Sequence, residues 1–259
     1  MSIDLTDLTE DIQNPRYKLL MLDLSEPSNQ FFQIESEVAS LIVISGTILL
    51  EGPDNTRHSA SSVTPSAIND LSQTPGYHLF KGSCFQLISE TPKATLLLAS
   101  SHEDFFKHCD HATDSFKLIT LSSYTVTKPW GYEKWFTENL SPLPKYALKM
   151  ISMKQGHRSS LQSHRYKSET NYVIQGQATV LSGLKAPASF ETKVDTSKLI
   201  SQIYRAGTGW SNSVNELHRV IAEQDYAAIE VSTTELDDVI RWQDDSARAN
   251  GRINEEHGR

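Results

Sequence analysis

Gln162 and His164, two residues apart, are the side chains in this sequence best placed to do chemistry together. On a β-strand, side chains alternate between faces, so this spacing puts both on one face. Glu169 follows five residues after His164, within a stretch bounded by Gly156 and Gly176. An amide oxygen, an imidazole and a carboxylate converging on one point make a donor set for a divalent metal.

Such residues need a rigid frame, and the surrounding sequence reads as short strands and turns. Residues 146–153 alternate, 160–164 form the first ligand strand, and 171–181 run through Gly176. Further strands are expected at 217–221 and 227–232. Upstream, 17–23 looks like a strand, 25–29 a turn, and 31–50 is β-rich with Gly46 as a turn. Residues 52–77, rich in Ser, Thr, Asn, Asp and Pro, read as loop, and 78–100 return to strand. The start, 1–16, reads as a loose arm or short helix, 101–116 as a short helix or linker, and 183–200 as a polar insertion. The acidic stretch 234–248 reads as a surface helix. Within the linker, His108, Cys109 and His111 are weak metal candidates, because no paired spacing of a zinc site is present.

A weak internal repeat is also present. Val-Ile-Ser-Gly at 43–46 matches Val-Ile-Gln-Gly at 173–176, and Phe-Gln-Leu-Ile-Ser-Glu at 85–90 matches His-Arg-Val-Ile-Ala-Glu at 218–223. Leu-Leu-Ala-Ser at 97–100 matches Ile-Glu-Val-Ser at 229–232. Three matches in one order imply two copies of one β fold, over 1–115 and 116–259.

The chain has 259 residues, 38% of them hydrophobic, enough for two small cores. A formal net charge of −8 argues against a nucleic-acid surface. The longest apolar run, near 41–44, is far too short to span a bilayer, and the acidic start has no signal-peptide pattern. Two cysteines, Cys84 and Cys109, offer no disulfide framework. A cytoplasmic protein is expected.

At this point the sequence resembles a known family. The pattern Gly156, Gln162, His164, Glu169, Gly176 is similar to the first cupin motif, with glutamine at the first ligand position as in the mannose-6-phosphate isomerase branch. The second half resembles the cupin domain of type II phosphomannose isomerases through Lys-Pro-Trp-Gly-Tyr-Glu at 128–133, the stretch 156–164, Leu-His-Arg-Val at 217–220, and 230–241. The resemblance implies an all-β chain of two cupin jelly-roll barrels (double-stranded β-helices), the first degenerate. It implies Gln162, His164, Glu169 and His218 as ligands of Zn²⁺ or Mn²⁺, with Fe²⁺, Co²⁺ and Ni²⁺ as alternatives. In the first copy Phe85 or Gln86 stands where His218 stands, so no metal is expected there. Two departures accompany the match. Asn215 falls where the second motif has glycine, and asparagine is the residue that best replaces glycine at positive φ. Residues 249–252, Ala-Asn-Gly-Arg, replace the usual Tyr-Gly-Arg close.

The function implied is a metal-dependent aldose–ketose isomerase acting on a sugar or sugar phosphate, in a chain that forms a homodimer or stands alone. Glu230 is then a candidate acid/base, or else a surface glutamate. Lys149 would bind phosphate or an oxyanion, or snorkel at the surface. Asn171 would donate to a sugar hydroxyl. Arg219, next to a ligand, points away from the metal on a regular strand and is either structural or a reach to the cavity rim for substrate. Arg241 either closes the mouth or forms a surface ion pair. His157 is expected to be exposed, and Trp130 and Tyr132 to be packing residues. The alternatives are a non-catalytic sugar-binding or regulatory cupin, or another cupin enzyme: an epimerase, lyase or dioxygenase.

Overall fold

The computed structural model describes residues 3–12, 16–25, 31–62, 75–101, 106–109, 115–189 and 193–257. The chain divides into two compact units, Met1–Ser123 with Phe136–Tyr146, and Tyr124–Trp135 with Ala147–Arg259. The expected break at 115/116 falls just ahead of a short strand, Leu118–Thr120, that pairs within the first unit.

The first unit runs β1 Ile3–Asp7, β2 Lys18–Leu24, β3 Phe31–Ile34, β4 Val38–Ser45, β5 Thr47–Glu51 and β6 Arg57–Ser61. It continues with β7 Gly76–Phe80, β8 Cys84–Ser89, β9 Ala94–Ser100, β10 Phe106–Cys109 and β11 Leu118–Thr120. The second runs β12 Tyr124–Lys128, β13 Gly131–Trp135, β14 Ala147–Met153, β15 Leu161–Ser163, β16 Glu169–Gln175 and β17 Gln177–Lys185. It closes with β18 Ile200–Arg205, β19 Gly209–Asn212, β20 Glu216–Ala222, β21 Tyr226–Ser232, β22 Ile240–Gln243 and the short helix α1 Asn254–His257.

Two sheets make up each unit among the described residues. The first has β1-β2-β9-β4-β7-β11 and β10-β3-β8-β5-β6; the second has β12-β13-β14-β21-β16-β19 and β18-β17-β20-β15-β22. The orders superimpose: β2-β9-β4-β7 corresponds to β14-β21-β16-β19, and β3-β8-β5-β6 to β15-β20-β17-β18. Even the irregularities repeat, since β4 slips register between Val43 and Ser45, and β16 between Val173 and Gln175. Each slip is followed by a glycine at positive φ, Gly46 (78°) and Gly176 (71°). A Cβ at Gly176 would lie 2.0 Å from the Asp225 carbonyl oxygen, so both backbone angle and space require glycine. The repeat seen in sequence is therefore a repeat of topology.

Alternation explains the layers. In β5 and β8 every second residue is buried, and the inward set joins Leu20, Leu22, Leu24, Leu41, Leu96 and Leu98 in one core. The second unit has a smaller apolar core around Met153, Val173, Val180 and Tyr226.

Three local expectations are corrected. The N-terminal arm contains β1, paired antiparallel with β2. The 101–116 segment contains β10, paired with β3, where Phe106 stacks on Phe32 at 4.6 Å. Its His108 lies tilted against the same ring at 4.7 Å; His111 lies outside the described residues. Finally, 234–248 is not helical. It carries β22, which pairs with the ligand strand β15 because β15 otherwise leaves one edge of its backbone groups unmatched. Among the described residues no helix is long and apolar enough to cross a membrane.

Candidate metal centre

β15, β16 and β20 bring four side chains together inside the second unit. Gln162 pairs across the sheet with His218, and Glu169 opens β16 after the loop that follows His164. His164, Glu169 and His218 are all buried, with ligand-type atoms within 4.8 Å of one another. Glu169 Oε2 lies 3.6 Å from His164 Nε2, and its Oε1 lies 3.2 Å from His218 Nε2. The Gln162 amide reaches His218 Nε2 at 3.2 Å and accepts from the Ser160 hydroxyl at 2.8 Å. A hydroxyl both donates and accepts, so Ser160 serves either orientation of that amide.

Both imidazoles are oriented from behind. His164 Nδ1–H donates to the Asp238 carbonyl, and His218 Nδ1–H donates to the Glu216 carbonyl at 3.1 Å. The proton of a neutral ring therefore sits on Nδ1, and the Nε2 lone pairs face the Glu169 carboxylate. His164 Nε2 is buried with no hydrogen-bond partner. Burial, then the nearby Lys167, push its pKa down to about 3, so a proton does not fill that position near neutrality. A buried His164 Nε2 with no hydrogen-bond partner, facing a carboxylate, calls for a cation, and two nitrogens, a carboxylate and an amide oxygen suit a divalent transition metal. The residues fit the group.

Around the ligands lies a buried chain of charge. Lys167 donates to Glu169 at 2.6 Å and to Glu230 at 2.9 Å. Lys149 lies 3.3 Å from the same Glu230 oxygen, donates to Glu133 at 3.0 Å, and stands over the Trp135 ring at 4.9 Å. Lys128 lies 3.4 Å from Glu133 and 2.8 Å from Glu256. Burial alone would raise the Glu133 carboxyl, but Lys149 and Lys128 outweigh it and hold it at about 2. Burial likewise opposes ionisation of Glu169, and Lys167 and His218 outweigh it, leaving it well below the usual carboxylate range. Lys149 and Lys167 are raised despite burial, because Glu133 and Glu230 face one, and Glu169 and Glu230 the other. Asn212 completes the set, donating to Glu169 Oε1 at 3.0 Å.

Two cavities adjoin the ligands. An inner one is bordered by Gln162, Glu169 and His218 together with Asn171, Glu230, Ser159 and Tyr226. The Tyr226 hydroxyl is buried without a hydrogen-bond partner. An outer cavity of about 80 Å³ is bordered by Gln162, His164, Lys128, Lys149, Lys167, Arg241, Arg248, Arg252, His257 and Glu133. The sequence candidates thus separate. Lys149, Asn171 and Glu230 all border these cavities rather than the surface. Arg219 does not reach either cavity; β20 alternation turns it to the other face, where it donates to the Gln243 carbonyl at 2.9 Å. Arg241 is buried in the cavity wall, donating to the carbonyls of Ala249 and Gly251, rather than forming a surface pair. His157 is exposed, and Trp130 is packed in the core while also bordering both cavities.

Lys167, Asp238, Asn212, Arg248, Arg252 and His257 were not singled out from sequence. Lys167 carried one usable signal, its two-residue spacing from Glu169. The arginines and His257 carried none, because the approach of 248–257 to the cavity depends on β22 and on Lys128–Glu256.

No family model and no curated protein matches the chain. Among solved structures, it is similar to Bacillus subtilis oxalate decarboxylase, described for its Mn(II) centres. The identity is 10%, over 92% of this chain and 74% of that one, with a TM-score of 0.58. The Lactobacillus farciminis oxalate decarboxylase–formate complex matches at 10% identity over 93% and 89%, with a TM-score of 0.54. The E. coli protein Ylba matches at 14% over 89% and 82%, with a TM-score of 0.56. These likenesses leave the narrower resemblance to mannose-6-phosphate isomerases resting on the sequence motifs. At such identities they establish a fold, and the fold of this chain is a pair of jelly-roll β-barrels like theirs.

Proposed function

We propose that the second barrel binds a divalent metal and a small anionic substrate, and that its reaction is the aldose–ketose isomerisation of a sugar phosphate. One observation carries this reading: the cavity beside Gln162 and His164 is bordered by six cationic side chains and one carboxylate, Glu133. A wall so biased suits a phosphorylated ligand. Gln162, His164, Glu169 and His218 would hold the ion. When bound it supplies polarisation of a carbonyl and stabilisation of developing negative charge. Mn²⁺ is favoured by the Mn(II) centres of the Bacillus subtilis structural relative, and Zn²⁺ suits the same donors. The resemblance of 128–133, 156–164 and 230–241 to phosphomannose isomerases points to mannose 6-phosphate.

The residues divide the work. Cations of the outer wall, Lys149 among them, hold the phosphate. Asn171 orients a hydroxyl. Glu230, on the inner face, takes a proton at one carbon and returns it at the next. A second reading has an observation of its own: Glu230 Oε1 is already engaged by two ammonium groups, Lys167 at 2.9 Å and Lys149 at 3.3 Å, rather than left open to a substrate carbon. That arrangement suits a sugar-binding cupin, or another reaction of the fold.

Elemental analysis of purified protein is expected to find close to one divalent ion per chain, lost in His164→Ala. Mannose 6-phosphate and fructose 6-phosphate should interconvert, and Glu230→Gln should cut turnover by roughly 100-fold or more, the scale of a general acid/base. Metal uptake without turnover of this pair supports the binding reading; no metal uptake overturns the isomerase reading and leaves a metal-free sugar-binding protein.

A further inference from the structure

Asp238 is joined to the ligand region by four hydrogen bonds from four successive residues. Its carboxylate accepts the backbone N–H groups of Arg165 (3.0 Å), Tyr166 (2.6 Å) and Lys167 (3.0 Å). Its own carbonyl accepts Nδ1–H of His164. Residues 165–168 are the span between the ligands His164 and Glu169, and they precede the first pairing of β16. Three successive N–H groups turned toward one point make a small anion-binding concavity, and here the anion belongs to the chain itself.

We propose that Asp238 is the positioning residue of the metal centre. It fixes the loop that sets the separation of His164 and Glu169, and it fixes the ring of His164 with Nε2 toward the metal. The two effects come from different atoms, carboxylate and carbonyl, so they are separable by substitution. Asp238 is itself held: it precedes Val239, whose carbonyl accepts from Gly251 N–H, and Ile240, which pairs with Ser163 of the ligand strand. The same loop places Lys167 between Glu169 and Glu230. Loss of the carboxylate therefore loosens the charge network as well as the ligands. The inference rests on the proposed metal site for its consequence but not for its geometry.

The test compares wild type, Asp238→Ala and Asp238→Asn. Zn²⁺ and Mn²⁺ titrations of the metal-stripped proteins are read by calorimetry, and amide hydrogen exchange is read at residues 165–167. The Ala variant is expected to bind metal about 10–100-fold more weakly, the scale of lost support behind a ligand, and to lose protection at those amides. The Asn variant keeps one acceptor oxygen and should fall between. The His164 Nδ1–H signal should persist in both, since the backbone carbonyl remains. Wild-type metal affinity in a folded Ala variant overturns the proposal. If the Ala variant fails to fold, the Asn variant decides: affinity lowered supports the proposal, affinity unchanged overturns it. Wild type that takes up neither ion sinks the metal reading, and unprotected amides at 165–167 in wild type sink the loop-anchoring role independently.

Discussion

The two barrels share a topology down to one bulge and one glycine, yet their interiors have opposite chemistry. Register gives the correspondence residue by residue. Ala39 sits opposite Ser100 as Glu169 sits opposite Ser232, and Phe32 opposite Phe85 as Gln162 opposite His218. Leu20 and Leu98 pair where Lys149 and Glu230 pair, and Leu41 stands for Asn171. Ile34, two residues past Phe32, stands for His164. Every one of these first-unit residues is buried. The positions that hold ligands and ion pairs in one barrel thus hold an apolar core in the other. The fold needs those positions filled, and does not need them polar. Hence the polar interior of the second barrel reflects its site rather than its stability.

Exchanging these residues between barrels should break that symmetry most severely. Glu169→Ala removes a ligand and leaves Lys167 with Glu230 as its remaining carboxylate, so a loss of about 3–5 kcal/mol is expected from the second unit. Ala39→Glu places a carboxylate among buried Leu, Ile and Phe side chains, and should cost the first unit at least about 3 kcal/mol. Urea unfolding followed by hydrogen exchange in each unit measures both. A variant Ala39→Glu as stable as wild type would sink the claim that the first interior tolerates no charge.

Acid separates the barrels next. In the first, His78 is fully buried against Ser40, which also bonds Tyr146, and burial pushes the imidazole down to about 4. Above pH ~6.5 folded and unfolded chains are both neutral there. As pH falls toward 4 only the unfolded chain takes up the proton, so stability drops, by on the order of 3 kcal/mol. In the second barrel His257, held at about 4 first by burial and then by Lys128 and Arg252, acts in the same window. Glu133 adds a lower limb. Its folded value of about 2 makes its contribution full above pH ~4.5 and lost between 4.5 and 2. Thermal melting against pH should show His78→Gln flattening the upper limb and Glu133→Gln the lower. A Glu133→Gln difference that stays constant across pH 4.5 to 2 would remove the ion-pair account.

How much of this lay open in the sequence follows from range. The clustering of these side chains was legible because Gln162, His164 and Glu169 lie within one short stretch of period-two pattern, and the fold because the repeat preserves apolar positions. Phe85, rather than Gln86, proves to be the counterpart of His218 by strand register, in agreement with the alignment of 85–90 on 218–223. β22 was hidden because its four residues are uniformly half-buried, with no alternation, inside an acidic stretch. The Lys167–Glu230 and Lys149–Glu133 pairs were hidden because they join residues 63 and 16 positions apart on different segments of the chain. No local pattern encodes which strands become neighbours.

The smallest expected effect concerns the turn ahead of His218, where the first barrel offers no ligand to deliver. Asn215 stands where glycine is usual, with φ at 60°, and its N–H donates to the His164 carbonyl at 2.6 Å. The turn thus ties the strand of one histidine to the other. Asparagine pays little for this region compared with other non-glycine residues, so Asn215→Gly should change stability by less than about 1 kcal/mol and leave metal affinity unchanged. Asn215→Val forces a β-branched residue into the same φ and should lower both. The pair of variants separates backbone strain from side-chain chemistry: weaker metal binding in Asn215→Gly would mean that the asparagine side chain, and not the turn it permits, helps deliver His218.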